Sequence, residues 1–328
     1  MLLFVLACAE PEVEDSGIAW SYPHDDVLRV NHGQSVGTHN SYHLRTPGVE
    51  ADPWDYSHAP LDEQLGEQGV RQFELDIWFD ADLGDFAVYH IPLVDAETTC
   101  SLLSECLGVM RAWSDANPAH HPFLTLMEVK DDYSEETVMP LLAALDATIQ
   151  ADFPPEARIS PDDIQRDHES VAAGLTAEGW PTLGETRGKA IFVLHTGDDF
   201  RLAYTDGDRS TAGLAIFPDA HGNLGLSVGA VSSINDPQSE AIGAALAAGH
   251  LVRTRADSDG TEARANDTGP RDVALASGAH FVSTDFPVPH EETGYVVEMP
   301  GGTPSRCNPV TAPPECSAEA LEDPAFIR

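Results

Sequence analysis

"VRQFELDIWF", residues 70–79, is the run on which the fold turns. Its valine, phenylalanine, leucine, isoleucine and tryptophan leave almost no solvent-facing position, the composition of a strand covered on both sides. Yet it also holds Glu74 and Asp76. Two residues apart on a strand, both project to one face. That face is either the inside of a closed sheet or the layer beneath covering helices. In either place two carboxylates are costly unless a cation, an ion pair or a hydrogen-bond network compensates them. A purely structural pairing of Glu74 with Arg71 or Arg255 therefore stands beside a cation site.

Seven further runs of similar character lie to either side, at 34–40, 85–91, 123–130, 189–196, 213–220, 251–257 and 280–287. Amphipathic stretches at 101–114, 134–150, 237–249 and 270–278 separate several of them; Leu141, Leu142, Leu145 and Ile149 repeat at helical spacing and mark a core face. Eight apolar strands alternating with helices predict an α/β chain folded as a (β/α)8 TIM barrel in one catalytic domain, residues 23–290. A doubly wound open sheet is the alternative, but no GxGxxG follows the first strand.

The flanks differ in character. Residues 1–22 open with "MLLFVLAC" and pass into an acidic tether. Seven apolar residues are too few to span a bilayer, but they resemble the end of an export signal, and "VLAC" resembles a bacterial lipobox with Cys8 as the lipidated residue. The expectation is an exported protein, either a cell-envelope lipoprotein or secreted. Cys100 lies near Cys106 and Cys307 near Cys316, an even set that fits disulfides in an oxidising compartment. A Cys100–Cys106 bridge requires a turn between the two, because a continuous helix holds the sulfurs apart. Residues 291–328, rich in proline and glycine, are expected to be a disulfide-stapled C-terminal extension.

The chain has 55 acidic against 17 basic residues, a formal net charge of -38. Such a field repels a phosphate backbone and excludes nucleic acid as a partner.

In a TIM barrel the chemistry gathers at the C-terminal ends of the strands. There the sequence puts His39 and Asn40, then Glu74 and Asp76, His90, Glu128 and Lys130, Arg253 and Arg255, and Asp285. Asn40, Glu74, Asp76 and Glu128 form an all-oxygen donor set, which suits Ca2+ or Mg2+ rather than zinc. His39 and His90 then fall outside the metal set. One can stabilise charge on a phosphoryl group and the other can protonate a leaving alkoxide, an arrangement for phosphodiester cleavage.

"GTHNSYH" (37–43), "PLDEQLGEQGVRQFELDIWFD" (60–80), "FAVYHIP" (86–92), "TLMEVK" (125–130), "WPTLGETRGKAIFVL" (180–194), "VRTRAD" (252–257) and "GAHFVSTDFP" (278–287) together resemble the bacterial calcium-dependent phosphoinositide phospholipase C family. The resemblance runs from about residue 30 to 290, in order. It implies His39 as the transition-state-stabilising histidine, His90 as the general acid, and Asn40, Glu74, Asp76 and Glu128 as Ca2+ ligands, with Glu74 or Glu128 as the base. Lys130 and Arg255 are expected substrate contacts, although Arg255 is equally readable as a structural barrel arginine. The implied substrate is an inositol phospholipid at a membrane surface, cleaved to diacylglycerol and a (cyclic) inositol phosphate by a monomeric enzyme. Alternatives are a related metal phosphodiesterase acting on glycerophosphodiesters or sphingolipids, and a surface lipoprotein that binds lipid without turnover. Trp54 and Tyr56, in the loop 53–61, either reach a membrane from the barrel rim or pack that loop down.

Overall fold

The structure is a computed structural model that describes residues 22–48, 51–302 and 304–322; Cys8 and nearly all of the expected leader and tether lie outside the described residues. Eight parallel strands close into a ring: β1 (Gly33–Thr38), β2 (Gln72–Asp80), β3 (Phe123–Val129), β4 (Ala190–His195), β5 (Phe217–Pro218), β6 (Val231–Ser233), β7 (Leu251–Arg255) and β8 (Phe281–Thr284). β1 pairs with β2 and, on its other edge, with β8. Closure between β5 and β6 is thin, a bridge from Asp219 to Val231 with Ala220 N–H donating to the Val231 carbonyl at 2.9 Å. The (β/α)8 barrel is thus the observed architecture.

One of the expected barrel strands is assigned differently, and an unexpected segment takes its place. Residues 85–91 do not enter the ring. Asp85–Val88 folds back antiparallel on β2, with Asp80 opposite Asp85. Four intervening residues make a tight turn, whereas a parallel crossover needs a dozen or more. The place in the ring goes to Val231–Ser233, a strand of only three residues with two serines, which carries almost no periodic signal.

Alternation along the strands sorts the core. Phe73, Leu75 and Ile77 of β2 and Phe192 and Leu194 of β4 join a cluster with Leu107 and Met110 of helix Leu103–Ala116 and Leu141, Leu145 and Ile149 of helix Val138–Asp152. Their neighbours on the same strands face the barrel interior. β1 and β2 approach closely at Gly37, where an added Cβ would fall 2.1 Å from Gln72 Oε1; only glycine fits that contact.

The end of the barrel opposite the strand C-termini is sealed by the C-terminal residues. Ser305–Cys307 adds antiparallel to β1, and the disulfide Cys307–Cys316 ties that strand to the short helix Ala318–Leu321. Glu322 then forms a fully buried ion pair with Arg71, 2.9 Å between Nη2 and Oε2. The second disulfide, Cys100–Cys106, spans a turn that leads into the first turn of its helix. Among the described residues no helix is long and apolar enough to cross a membrane.

Candidate active site

Along several strands the inward-facing residues change from apolar or small to ionisable toward the C-terminal end. β3 presents Leu124, Leu126 and Glu128; β4 presents Ile191, Val193 and His195; β7 presents Leu251, Arg253 and Arg255. Asp76, Glu128 and His195 are direct neighbours across β2, β3 and β4. The apolar layers floor a polar cup.

Carboxylates crowd this cup. One oxygen each of Glu74 and Glu128 and one nitrogen of His195 all lie within 4.8 Å of one another. Asp76 is fully buried and neither of its carboxylate oxygens makes a hydrogen bond. The Lys130 ammonium provides a compensating charge, 3.1 Å from Asp76 Oδ2 and 2.9 Å from Glu128 Oε1. Burial, reinforced by the charge of Glu128, raises the Asp76 carboxyl to about 7 despite that ammonium. Burial, the largest influence, pushes Glu74 in the same direction, but Arg253 together with His39, His195 and Arg255 outweighs it and holds Glu74 down at about 2. The structural partner of Glu74 is therefore Arg253, at 2.5 Å between Nη2 and Oε2, and neither Arg71 nor Arg255. Asn40, buried beside the cup at the end of β1, takes a left-handed backbone with φ 45°, which asparagine tolerates better than most residues.

This donor chemistry fits a hard divalent cation. Buried carboxylates are normally fully compensated by charge or hydrogen bonds; Asp76 and Glu128 share the single Lys130 ammonium, which leaves buried oxygens that a cation would satisfy. The flanking Glu74, Glu128 and Asn40 add further oxygen donors.

Each of the two expected histidines is pinned by its own carboxylate. His39 Nδ1 lies 2.8 Å from Asp285 Oδ1, while its Nε2 faces Glu74 Oε1 at 3.8 Å. Arg255 Nη2 stands 3.4 Å from His39 Nδ1 and 3.8 Å from Asp285 Oδ2. Burial would raise Asp285, but His39 and then Arg255 draw it below the ordinary carboxylate range. On the other side, His90 Nδ1 lies 2.8 Å from Asp95 Oδ2. Burial lowers this imidazole, partly offset by Asp95. Asp95 also accepts from His43 Nε2 at 2.9 Å. In both histidines Nδ1 is committed to a carboxylate, which leaves Nε2 for chemistry.

The structure thus gathers Glu74, Asp76 and Glu128 with Lys130, and sets His39 and Arg255 beside them. His90 reaches its place from the loop after the antiparallel arm rather than from a barrel strand. Tyr56 is buried against His43 and Phe286, and Trp54 stands edge-on to His90 with ring centres 5.8 Å apart, so the loop's rings pack inward. Three participants were not picked out from the sequence: Asp95, His195 and Asp219. His195 ends the run 189–196 at a barrel-strand terminus, a signal that was available. Asp219 sits in the run 213–220, and Asp95 lies in an irregular loop with no pattern to flag it.

A family model described as "Phosphoinositide phospholipase C, Ca2+-dependent" matches residues 28–89 and 86–309. No curated protein is a significant match to the chain. Among solved structures, the apo form (crystal form 2) of a calcium-dependent phosphoinositol-specific phospholipase C from a Gram-negative Pseudomonas species superposes with a TM-score of 0.60 at 18% identity, covering 81% of this chain and 93% of that one. A Ca2+-dependent phosphatidylinositol-specific enzyme from Streptomyces antibioticus gives 0.60 at 20% identity, covering 80% and 96%. A myoinositol complex of the Pseudomonas protein gives 0.58 at 18%, covering 79% and 90%. At these identities the structural likeness is one of fold.

Proposed function

The chain belongs to the calcium-dependent phosphoinositide phospholipase C family and is a phosphodiesterase, and from that premise we propose that it cleaves phosphatidylinositol-type lipids to diacylglycerol and a cyclic inositol phosphate. The observation that carries the proposal is the pair of carboxylate-pinned imidazoles, His39–Asp285 and His90–Asp95, set about a carboxylate cluster in which Asp76 lacks hydrogen bonds.

Asn40, Glu74, Asp76 and Glu128 would hold the Ca2+. The bound ion would supply neutralisation of phosphate charge and a lowered pKa for the inositol 2-hydroxyl. Glu128 is the better placed base. It is partly open to the cup and is paired only with Lys130, whereas Glu74 is held ionised against Arg253. The 2-hydroxyl oxygen attacks phosphorus within the same molecule, which removes the entropic cost of bringing in a second reactant. His39, oriented by Asp285, offers Nε2–H to the phosphoryl oxygen as charge builds there. His90, oriented by Asp95, gives its Nε2 proton to the departing diacylglycerol oxygen. Arg255 and Lys130 contribute positive charge to the phosphate and headgroup.

Two disulfides support an oxidising compartment, and we extend this to export with Cys8 as a lipid anchor, which labelling of wild type and Cys8→Ser with a fatty-acid analogue would test.

The test of function is hydrolysis of phosphatidylinositol vesicles with Ca2+, with chelator, and with Ca2+ restored. Inositol phosphate release that stops with chelator and returns with Ca2+ is expected. Release of glycerol phosphate or ceramide phosphate from the matching substrates, with none of inositol phosphate, would replace the substrate assigned. Ca2+-dependent vesicle binding with no product would replace catalysis by binding.

A further inference from the structure

This inference rests on the cation site proposed above and extends it. The geometry points to His195 as a nitrogen ligand of that site, fixed in place by Asp219, so that the cup accepts first-row transition-metal ions through a mixed nitrogen–oxygen set in addition to Ca2+.

Placement is the first argument. His195 ends β4 directly beside Glu128 on β3, which in turn lies beside Asp76 on β2. A nitrogen of His195 and an oxygen from each of Glu74 and Glu128 fall within 4.8 Å of one another, close enough to share one ion.

Orientation is the second. His195 Nδ1 lies 2.7 Å from Asp219 Oδ2. Asp219 is itself buried and immobilised, its Oδ1 accepting the backbone N–H groups of His221 and Ser233, each at 2.9 Å. The carboxylate therefore takes the Nδ1 proton and leaves Nε2 as the nitrogen available to the cup. A carboxylate behind an imidazole whose other nitrogen faces a ligand cluster is the usual support for a metal-bound histidine: it fixes the tautomer and strengthens the donor.

The third argument concerns what else occupies this corner. His221 lies beside His195, with ring centres 5.2 Å apart, and its Nδ1 is 3.6 Å from the same Asp219 Oδ2, but its Nε2 is directed to the Thr196 carbonyl at 3.1 Å. It is thereby engaged outside the cup, and Asp219 serves His195. Imidazole adds little for Ca2+, which prefers oxygen, but it favours Co2+ and its neighbours. The signature is thus a change in metal preference, not merely in activity.

Mn2+ bound to the full-length wild-type protein should show 14N coupling in pulsed electron paramagnetic resonance, and His195→Gln should abolish it. By calorimetry, His195→Gln should weaken Co2+ by about 10-fold or more while changing Ca2+ by less than about threefold, and Asp219→Asn should weaken Co2+ by about 10-fold. Thermal melts check that both variants fold; the wild-type 14N measurement stands even if one does not. No 14N coupling in wild type, coupling that persists in His195→Gln, or Co2+ affinity unchanged in both folded variants overturns the assignment. If Ca2+ still binds in those cases, the proposed cation site survives without His195. A wild-type protein that binds neither Ca2+ nor Co2+ sinks both.

Discussion

His39 ends the first barrel strand and Asp285 follows the last, yet His39 Nδ1 and Asp285 Oδ1 lie 2.8 Å apart across 246 residues of sequence. The carboxylate holds the ring so that Nε2, and not Nδ1, faces the cup, 3.8 Å from Glu74 Oε1. Asp285→Asn keeps the shape of the contact but favours the wrong tautomer. We expect kcat on phosphatidylinositol to fall about 100-fold or more, with KM and Ca2+ affinity little changed. A variant with near-normal kcat would mean that Asp285 serves only packing.

Asp76 is predicted to trade apo stability for cation binding. Its buried carboxylate lacks hydrogen bonds, so Asp76→Asn should melt no lower than wild type in chelator. In wild type, Ca2+ at about 100 times its Kd should add about 2.7 kcal/mol of stability. That increment should be missing in the variant. A full Ca2+-induced shift in Asp76→Asn would remove Asp76 from the ligand set.

The Glu74–Arg253 pair is buried on both sides. Arg253→Met strands the Glu74 charge and should cost about 3 kcal/mol or more in chelator, measured by denaturant unfolding. Adding Glu74→Gln should restore at least half of the loss while leaving the enzyme inactive. Failure of the double variant to recover would place the cost in the contacts of Arg253 with Asn235 and Ser283 instead.

Acid should destabilise the fold before it protonates most carboxylates. His280 Nδ1 accepts the Val252 N–H and Nε2 donates to the Asn31 carbonyl, each at 3.0 Å, so the buried ring is satisfied only when neutral. Burial holds it at about 4, and likewise His58 and His250. With the folded pKa below the unfolded 6.5, the unfolded chain binds more protons between those values. Stability is then complete above about pH 6.5 and is lost toward pH 4. His280 alone accounts for about 2 kcal/mol by pH 4.5. Protonation of the raised Asp76 carboxyl works in the opposite direction, so the check is the variant: His280→Gln should flatten the loss between about pH 7 and 4.5, and an unchanged slope would contradict this.

The acidic face of β2 was readable because strand alternation forces Glu74 and Asp76 to one side, and a run apolar enough to be buried makes that side expensive. Glu128 followed by the same logic on β3. What escaped was set by contacts without period. His90 was placed on a barrel strand because "DFAVYHI" has strand composition; composition does not tell an arm that folds back on its neighbour from a strand that joins the ring. β6 is three residues long and two of them are serine, so a barrel strand hides in what reads as a loop. The orienting carboxylates Asp95 and Asp219 matter through single hydrogen bonds to rings far away in sequence. His195 has the right position at a strand end, but with fourteen histidines in the chain the residue type alone does not single it out.

β1, which leads directly into His39, is laced to Ser305–Cys307, far along the sequence. A chain emerging from the ribosome amino-terminus first cannot make that pairing until residue 307 has appeared. Until then the first residues of that strand, Gly33–Ser35, lack their antiparallel partner and the Arg71 guanidinium has not met Glu322. The seal at the base of the barrel is therefore made after the ring it closes, and residues 305–322 are among the last to take their native contacts.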